Sequence, residues 1–472
     1  MDQGSGFLMR HDFHPTILRS YDIRGIVGET LGEPDAFAIG LGFASLIRRD
    51  GGQRVAVGRD GRLSSPMLAE ALIKGLCAGG MTVLDAGLGP TPMLYFADHH
   101  LNTDGAIQVT GSHNPPSHNG FKMVMGHKPF FGEDIQELGR IMAAGVDEMP
   151  GGSTDGADIH DTWINYMQDQ AGDLSMLADK TVIWDCGNGA AGPSVLALTD
   201  ALAGNHQVLF PEIDGTFPNH HPDPVDPETL EFLRQRVAES GASLGIGFDG
   251  DGDRIGLIDC HGRQIPGDLL TAYLARRVLR KEPGAEVIFD VKSSLAALDA
   301  VAAMGGKPGL WKTGHSHMKI RLKETAAPIA GEMSGHIFIS HGYLGFDDAL
   351  FAALAVLREW AESGESIDAF IDSLPPVYAT PELRIACPDE EKFQIVDRVI
   401  ADVRANPDQD QQNLADMDGI RVTGDEGWWL IRASNTGAQL VARAEGRNEA
   451  SRDMLKQRIR QRLAGAGLEW QG

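Results

Sequence analysis

Cysteine is scarce in this chain of 472 residues: Cys77, Cys186, Cys260 and Cys387 stand far apart and form no CxxC pair. Neither a disulfide framework nor a zinc site is expected, and a reducing, cytoplasmic setting is the expectation. Long apolar runs are missing too. None approaches the ~20 residues that span a bilayer, and Met1 to Pro15 lacks the apolar core of a signal peptide. Positive charge is in deficit, with 41 Lys and Arg against 66 Asp and Glu and a formal net charge of -25. Nucleic acids and anionic membrane surfaces are polyanions and would be repelled, so neither is an expected partner. A small anionic substrate remains open, provided its site is locally basic.

What the chain does have is the balance of a globular protein, 42% hydrophobic and 23% charged. Its length is too great for one ordinary core, so three or four domains are expected. Three segments share a pattern: a short apolar strand ending in Asp, a turn, an Ala/Leu-rich helix, then glycine and another strand. The strands are Arg54 to Asp60, Lys180 to Asp185 and Glu286 to Asp290, with helices beginning near Ser65, Gly192 and Ser293. This alternation predicts three related mixed α/β domains with buried strands. The last ninety or so residues differ, with the strand Trp428 to Ile431, a polar loop, another strand and a charged helix from about Asn448. They predict a smaller α+β C-terminal domain. Boundaries are expected in Pro150 to His160, near His261 to Pro266, and in Ser373 to Pro381.

The strongest local motif is GFDGDGDR, Gly247 to Arg254. It follows a predicted strand, Leu244 to Phe248, so Asp249, Asp251 and Asp253 lie at the strand's carboxyl end. Intervening glycines let the three carboxylates converge, and at close range they repel unless a cation sits among them. All-oxygen ligation points to Mg²⁺ with positions left for phosphate oxygen. An EF-hand fails, since its glycine position falls on Arg254 and its closing glutamate position on Cys260. An acidic surface turn is the plainer alternative; Arg254 would offset its charge or contact a phosphate. A second motif, TGSHNPPSHNGFKM from Thr110 to Met123, presents Ser112 at a strand end as a nucleophile or phosphoryl carrier. Lys122 is then a candidate acid/base or phosphate contact. His113 is a poor base for Ser112, because neighbours on an extended chain point apart; it and Asn114 fit loop-shaping or phosphate contacts better. A proline-rich turn with incidental polar residues is the alternative.

Two weaker motifs follow. In RASNTG, Arg432, Ser434, Asn435 and Thr436 offer a guanidinium, hydroxyls and an amide beside a glycine, a plausible phosphate cradle. In GEMSGH, Glu332, Ser334 and His336 alternate, and on an extended segment they would face the same way, toward sugar hydroxyls. GNGAAG, Gly187 to Gly192, satisfies the dinucleotide fingerprint, with Glu212 beyond it. Asp185 and Cys186 stand where a carboxylate would repel a pyrophosphate, so the glycines are better explained as a tight, closely packed turn. A haloacid-dehalogenase phosphatase needs Asp-x-Asp-x-Thr/Val, which neither Asp249 nor Asp251 begins. A non-enzymatic metal- or sugar-binding protein would keep the aspartates but have no need of Ser112 and Lys122.

In order and broad spacing, TGSHNP, DGDGDR, GEMSGH and RASNT resemble the α-D-phosphohexomutases, most closely the bacterial phosphomannomutase/phosphoglucomutase branch. The resemblance covers essentially the whole chain, with YDIRG at Tyr21, DVKSS at Asp290, KTGHS at Lys312 and GFDDAL at Gly345. It implies three α/β domains and a C-terminal one around a central cleft: 1–155 with the phosphoserine loop, 156–262 with the metal loop, 263–376 with the sugar loop, and 377–472 with the phosphate loop. It implies reversible interconversion of mannose or glucose 1- and 6-phosphates. Phosphorylated Ser112 would be the carrier, with a hexose 1,6-bisphosphate as intermediate and activator. Asp249, Asp251, Asp253 and Ser112 would hold Mg²⁺, and Lys122, His315 and Arg254 would be catalytic. Glu332, Ser334 and His336 would bind the sugar, and Arg432, Ser434, Asn435 and Thr436 the non-reacting phosphate. Tyr21, Arg24 and Lys292 match further ligand contacts. A monomer, or at most a dimer, is expected. One departure stands out: Thr436 is followed by Gly437, Ala438 and Gln439, where the family often has Glu-Pro.

Overall fold

The computed structural model describes residues 8–408, 411–434 and 437–470. The chain divides into two compact units, Met1–Gly267 with Ser334–Asp368, and Asp268–Met333 with Ala369–Gly472. In the first unit, the strand Arg54–Arg59 lies between Thr82–Leu88 and Gly105–Val109, parallel to both. His118–Met125 returns antiparallel beside Gly105–Val109, with Lys122 opposite Gln108. The same arrangement recurs downstream. Thr181–Asp185 is flanked in parallel by Asn205–Leu209 and Leu244–Phe248, and Ile255–Asp259 returns antiparallel. In the second unit Glu286–Asp290 lies in parallel between Lys307–Trp311 and Ile329–Gly331.

The physical cause is visible in the strands. Val55 to Val57, Val182 to Trp184 and Val287 to Phe289 are almost wholly buried, as strands covered on both faces must be. The first parallel crossover of each sheet runs through a helix: Ser65–Ala78, Gly192–Thr199 and Leu295–Ala303. Ser294 caps the third, accepting the Ala296 N–H at 3.1 Å. In the first two sheets the hairpin loop joining the last parallel strand to the antiparallel one is residues 110–117 and 249–254. Residues 332–336 follow Ile329–Gly331 at the same point of the third sheet. Three of the motifs read from the sequence, those of Ser112, Asp249 and Glu332, therefore occupy one repeated loop position.

The C-terminal sheet is antiparallel, built on Gln439–Gly446, Gly427–Ala433, Ile420–Gly424 and Gln411–Ala415. Helices Lys392–Ala405 and Glu449–Gly465 cover it through Val399, Val403, Leu455, Ile459 and Leu463. The expected linkers are not bare. Ser153–Gly156 adds a parallel edge strand to the first sheet, Gln264–Ile265 extends the second, and Tyr378–Ala379 joins the C-terminal sheet. Polar, glycine- or proline-bearing composition suits an edge strand as well as a linker, because one side faces water.

Candidate active site

Ser112 stands in the left-handed region, at φ 48°, an uncommon conformation for a residue with a side chain. Its N–H donates to Thr110 Oγ1 at 2.8 Å, closing the turn. Its Oγ donates to Asp249 Oδ2 at 2.9 Å and lies 3.1 Å from His113 Nδ1. The expectation that His113 points away from Ser112 is thereby corrected. It assumed an extended backbone, and the left-handed turn brings the two neighbours together. Burial and the nearby Arg254, Arg24 and Lys122 push the His113 imidazolium well below its ordinary range, so the ring is neutral.

The strand-end carboxylates converge as the spacing predicts. Asp249, Asp251 and Asp253 are fully buried, and each offers an oxygen within 4.8 Å of the others. Asp249 Oδ1 accepts the N–H groups of Asp253 and Arg254, both at 3.1 Å, which winds the loop around it. Asp251 Oδ2 accepts Thr91 Oγ1 at 2.5 Å and Lys122 Nζ at 2.7 Å. Lys122 also pairs with Asp253 Oδ2. Burial opposes the Lys122 charge, but Asp251, Asp253 and Asp249 outweigh it and raise its pKa. Asp251 is correspondingly held below the carboxylate range, its desolvation outweighed by Lys122. Burial and the other two aspartates drive Asp249 well above it. Oδ1 of Asp251 and Oδ1 of Asp253 are buried and accept no hydrogen bond. Buried, unmatched carboxylate oxygens within a cluster of three aspartates suit a hard divalent cation.

Around this cluster, Arg254 Nε donates to His336 Nε2 at 3.0 Å, and His336 Nδ1 faces Asp347 Oδ2 at 3.0 Å. The imidazole thus stands between Arg254 and Asp347. Arg24 is buried, pairs with Asp22 and reaches Asn114 Oδ1 at 3.4 Å. It comes from Ile23–Ile26, the strand beside His118–Met125, which places it next to the serine loop. Tyr21 is half-buried just ahead of that strand.

GEMSGH departs from expectation. It forms a turn, not an extended segment, with Gly335 at φ 86°, so alternation does not put Glu332, Ser334 and His336 on one face. Within the second unit Glu332 Oε1 accepts the Gly314 N–H at 2.9 Å, tying it to the loop that opens the helix His315–Thr325. His315 is the first residue of that helix. Lys292 lies 3.6 Å from Glu382 and 4.0 Å from Asp290. Arg432 Nε donates to Asp418 Oδ2 at 3.1 Å, and Asp418 Oδ2 also accepts the Thr313 N–H at 3.1 Å. Ser434 Oγ accepts the Gly437 N–H at 3.2 Å. Asn435 and Thr436 lie outside the described residues.

The dinucleotide alternative fails on geometry. Asp185 Oδ1 accepts the Gly187 N–H at 2.9 Å and faces His220 Nε2, so a turn amide needed for a pyrophosphate is taken. A Cβ on Gly192 would lie 1.9 Å from Pro211 O; the glycine serves close packing, as the sequence suggested. Sequence reasoning missed Thr91, Asp347, Asp60 and Arg62. Asp347 sits in GFDDAL, whose paired acids in a buried setting were the available signal; Arg62 follows the strand-ending Asp60 in RDGR.

The chain matches four consecutive family models. They are phosphoglucomutase/phosphomannomutase alpha/beta/alpha domain I at residues 15–147, domain II at 161–262, domain III at 266–378, and the C-terminal domain at 382–462. It is 42% identical to a phosphomannomutase/phosphoglucomutase of Pseudomonas putida over 95% of each chain. It is 38% identical to a phosphoglucomutase of Neisseria gonorrhoeae, covering 94% of this chain and 96% of that one. A crystal structure of a phosphoglucomutase/phosphomannomutase family protein from Burkholderia thailandensis superposes with a TM-score of 0.90 at 38% identity, covering 96% and 98% of the two chains. With a buried serine on three convergent aspartates and four domains matched in order, the chain belongs to the phosphoglucomutase/phosphomannomutase family, the α-D-phosphohexomutases.

Proposed function

We propose that the chain reversibly interconverts the 1- and 6-phosphates of mannose and glucose, with phosphorylated Ser112 as donor and a hexose 1,6-bisphosphate as intermediate and activator. The observation that carries this is the Ser112 hydroxyl, held by a strained turn 2.9 Å from Asp249 within a buried carboxylate cluster. A phosphoryl carrier needs such a fixed oxygen. Asp249, Asp251 and Asp253, with Ser112 beside them, would hold Mg²⁺, which when bound neutralises charge on the transferring phosphoryl group.

The chain's own residues do the remaining work. Lys122 enters with its proton on, so in this arrangement it serves as acid and charge partner, and acts as base only after leaving Asp251 and Asp253. His315 is the second acid/base group. Arg254, held by His336, and Arg24 meet phosphate oxygens; Tyr21 and Lys292 are further ligand contacts. Glu332, Ser334 and His336 read sugar hydroxyls, and Arg432, Ser434, Asn435 and Thr436 take the non-reacting phosphate. Between half-reactions the bisphosphate turns around, so each end meets both groups. Domain limits of 1–155, 156–262, 263–376 and 377–472 accompany this reading, as does a cytoplasmic monomer, or at most a dimer, acting on small hexose phosphates alone. Among the described residues no helix is long and apolar enough to cross a membrane.

The test supplies Mg²⁺ and a trace of glucose 1,6-bisphosphate with mannose 1-phosphate or glucose 1-phosphate. Formation of the 6-phosphates, abolished by EDTA, supports the proposal. No turnover of either sugar would sink it.

A further inference from the structure

We propose that Arg62 is the positioning residue of the phosphoryl-carrying loop, acting on the reaction through the Ser112 backbone without touching sugar or phosphate. The proposal rests on Ser112 being the carrier. Arg62 is 1% exposed. Its Nη2 donates to the carbonyls of Ser112 and Asn114, both at 2.6 Å. Its Nη1 donates to those of Pro115 at 2.7 Å and His118 at 3.0 Å. One planar fork thus gathers three carbonyls of the loop and that of His118, where the next strand begins, which no other side chain has the donors to do.

The loop needs this support. Pro115 and Pro116 have no N–H, so the segment cannot pair as a ladder, and the carbonyls turned toward Arg62 have no backbone donor there. Arg62 is itself fixed from behind. Its Nε lies 3.3 Å from Asp60 Oδ2, and its guanidinium carbon lies 5.3 Å from the centre of the Phe217 ring. Asp60 also accepts the Gly111 N–H at 3.0 Å and the Ser65 hydroxyl at 2.5 Å. Gly111 has no side chain to displace the fork; a Cβ there would lie 2.1 Å from Arg62 Nε. Burying a guanidinium with one carboxylate partner is costly, and burial lowers the Arg62 pKa.

What that arrangement fixes is the one conformation that puts Ser112 Oγ on Asp249. Pinning the Ser112 carbonyl sets the whole Ser112–His113 peptide plane, because the plane is rigid and trans. The His113 N–H is then turned to the opposite side of the loop. A carrier that must serve two different hydroxyls in turn cannot follow either of them. The sugar has to turn while the loop stays still.

The test uses the full chain. Wild type and Ser112→Ala are assayed first with Mg²⁺, glucose 1,6-bisphosphate and glucose 1-phosphate; a wild type that does not turn over removes the carrier and this proposal with it. If it turns over, Arg62→Lys, Arg62→Met and Gly111→Ala decide Arg62 alone. Arg62→Lys keeps the charge and stem but cannot reach four carbonyls, and Gly111→Ala pushes the same fork from the other side. In each folded variant kcat is expected to fall about 10²-fold, the scale of a ~1 Å misplacement. KM is expected to stay within about threefold, because uniform binding is untouched. Arg62→Lys should rescue little of the Arg62→Met loss. A kcat within about threefold of wild type, or a loss carried by KM alone, would overturn the proposal.

Discussion

Two hairpin loops occupy the same position in adjacent sheets, residues 110–117 and 249–254, and are stabilised in opposite ways. The serine loop is held from behind by a buried cation, Arg62, that gathers its carbonyls. The aspartate loop is wound around its own Asp249 and brings three buried carboxyl groups together. One spends its charge on holding a backbone still; the other leaves its charge facing the reaction. The repeated sheet therefore determines where a functional loop is placed, while the residue behind the loop determines what it can present.

The comparison can be broken from the front. Ser112→Ala removes the group the first loop exists to present, and turnover should fall by about 10⁴-fold or more, as in other losses of a nucleophile. KM measured on residual activity should change little. Asp251→Asn removes a charge from the second loop and leaves Lys122 with one carboxylate fewer. Turnover should drop beyond the ~10- to 100-fold typical of groups that merely orient a metal ligand, with a raised Mg²⁺ requirement in titration. Retained activity at ordinary Mg²⁺ would mean that the anions are structural.

A third substitution strikes where the loops touch. A Cβ on Gly250 would lie 2.5 Å from the Ser112 carbonyl oxygen, so Gly250→Ala forces the two loops apart. It should cost about 1–3 kcal/mol of stability by overpacking, read from urea midpoints, and disturb activity more than stability. The last effect falls on stability alone and comes from outside both loops. Asp348 caps the helix Ala349–Ser363, and burial raises its pKa to about 6, its hydrogen bonds from Tyr343 and from the Phe351 and Leu350 N–H groups working the other way. Its unfolded value is near 3.9, so between about pH 4 and 6 the native state binds more protons than the unfolded one. Stability should therefore fall as pH rises through that window and level off above it. Asp348→Asn, still a good cap, should flatten the slope, at most about 3 kcal/mol.

Much of this was legible in the sequence, for identifiable reasons. Buried parallel strands write themselves as short apolar runs, and Val182 to Trp184 or Val287 to Phe289 could be little else. Asp249, Asp251 and Asp253 announce their convergence because only glycines separate them. The misses are equally physical. His113 was misplaced because a positive φ at serine has no sequence signature. GEMSGH was read as extended, although its Gly335 marks a turn. Arg62 reads as one more charged residue after a strand; its work is done on carbonyls about 50 residues away, and backbone acceptors carry no side-chain identity to read.

The ladder pairing Gln108 with Lys122 makes the chemistry hostage to loop length. Side chains alternate between the faces of a strand, so deleting a single residue between Asn114 and Ser117 and letting the strands re-pair one step along would offer Phe121 or Met123 where the ammonium now stands. The same slip would turn Phe121 and Met123 out of the apolar core they now fill and Lys122 into it. The aspartates would lose their ammonium partner and the core would lose its packing together. In this fold the length of the turn carries chemical information as surely as the residues in it.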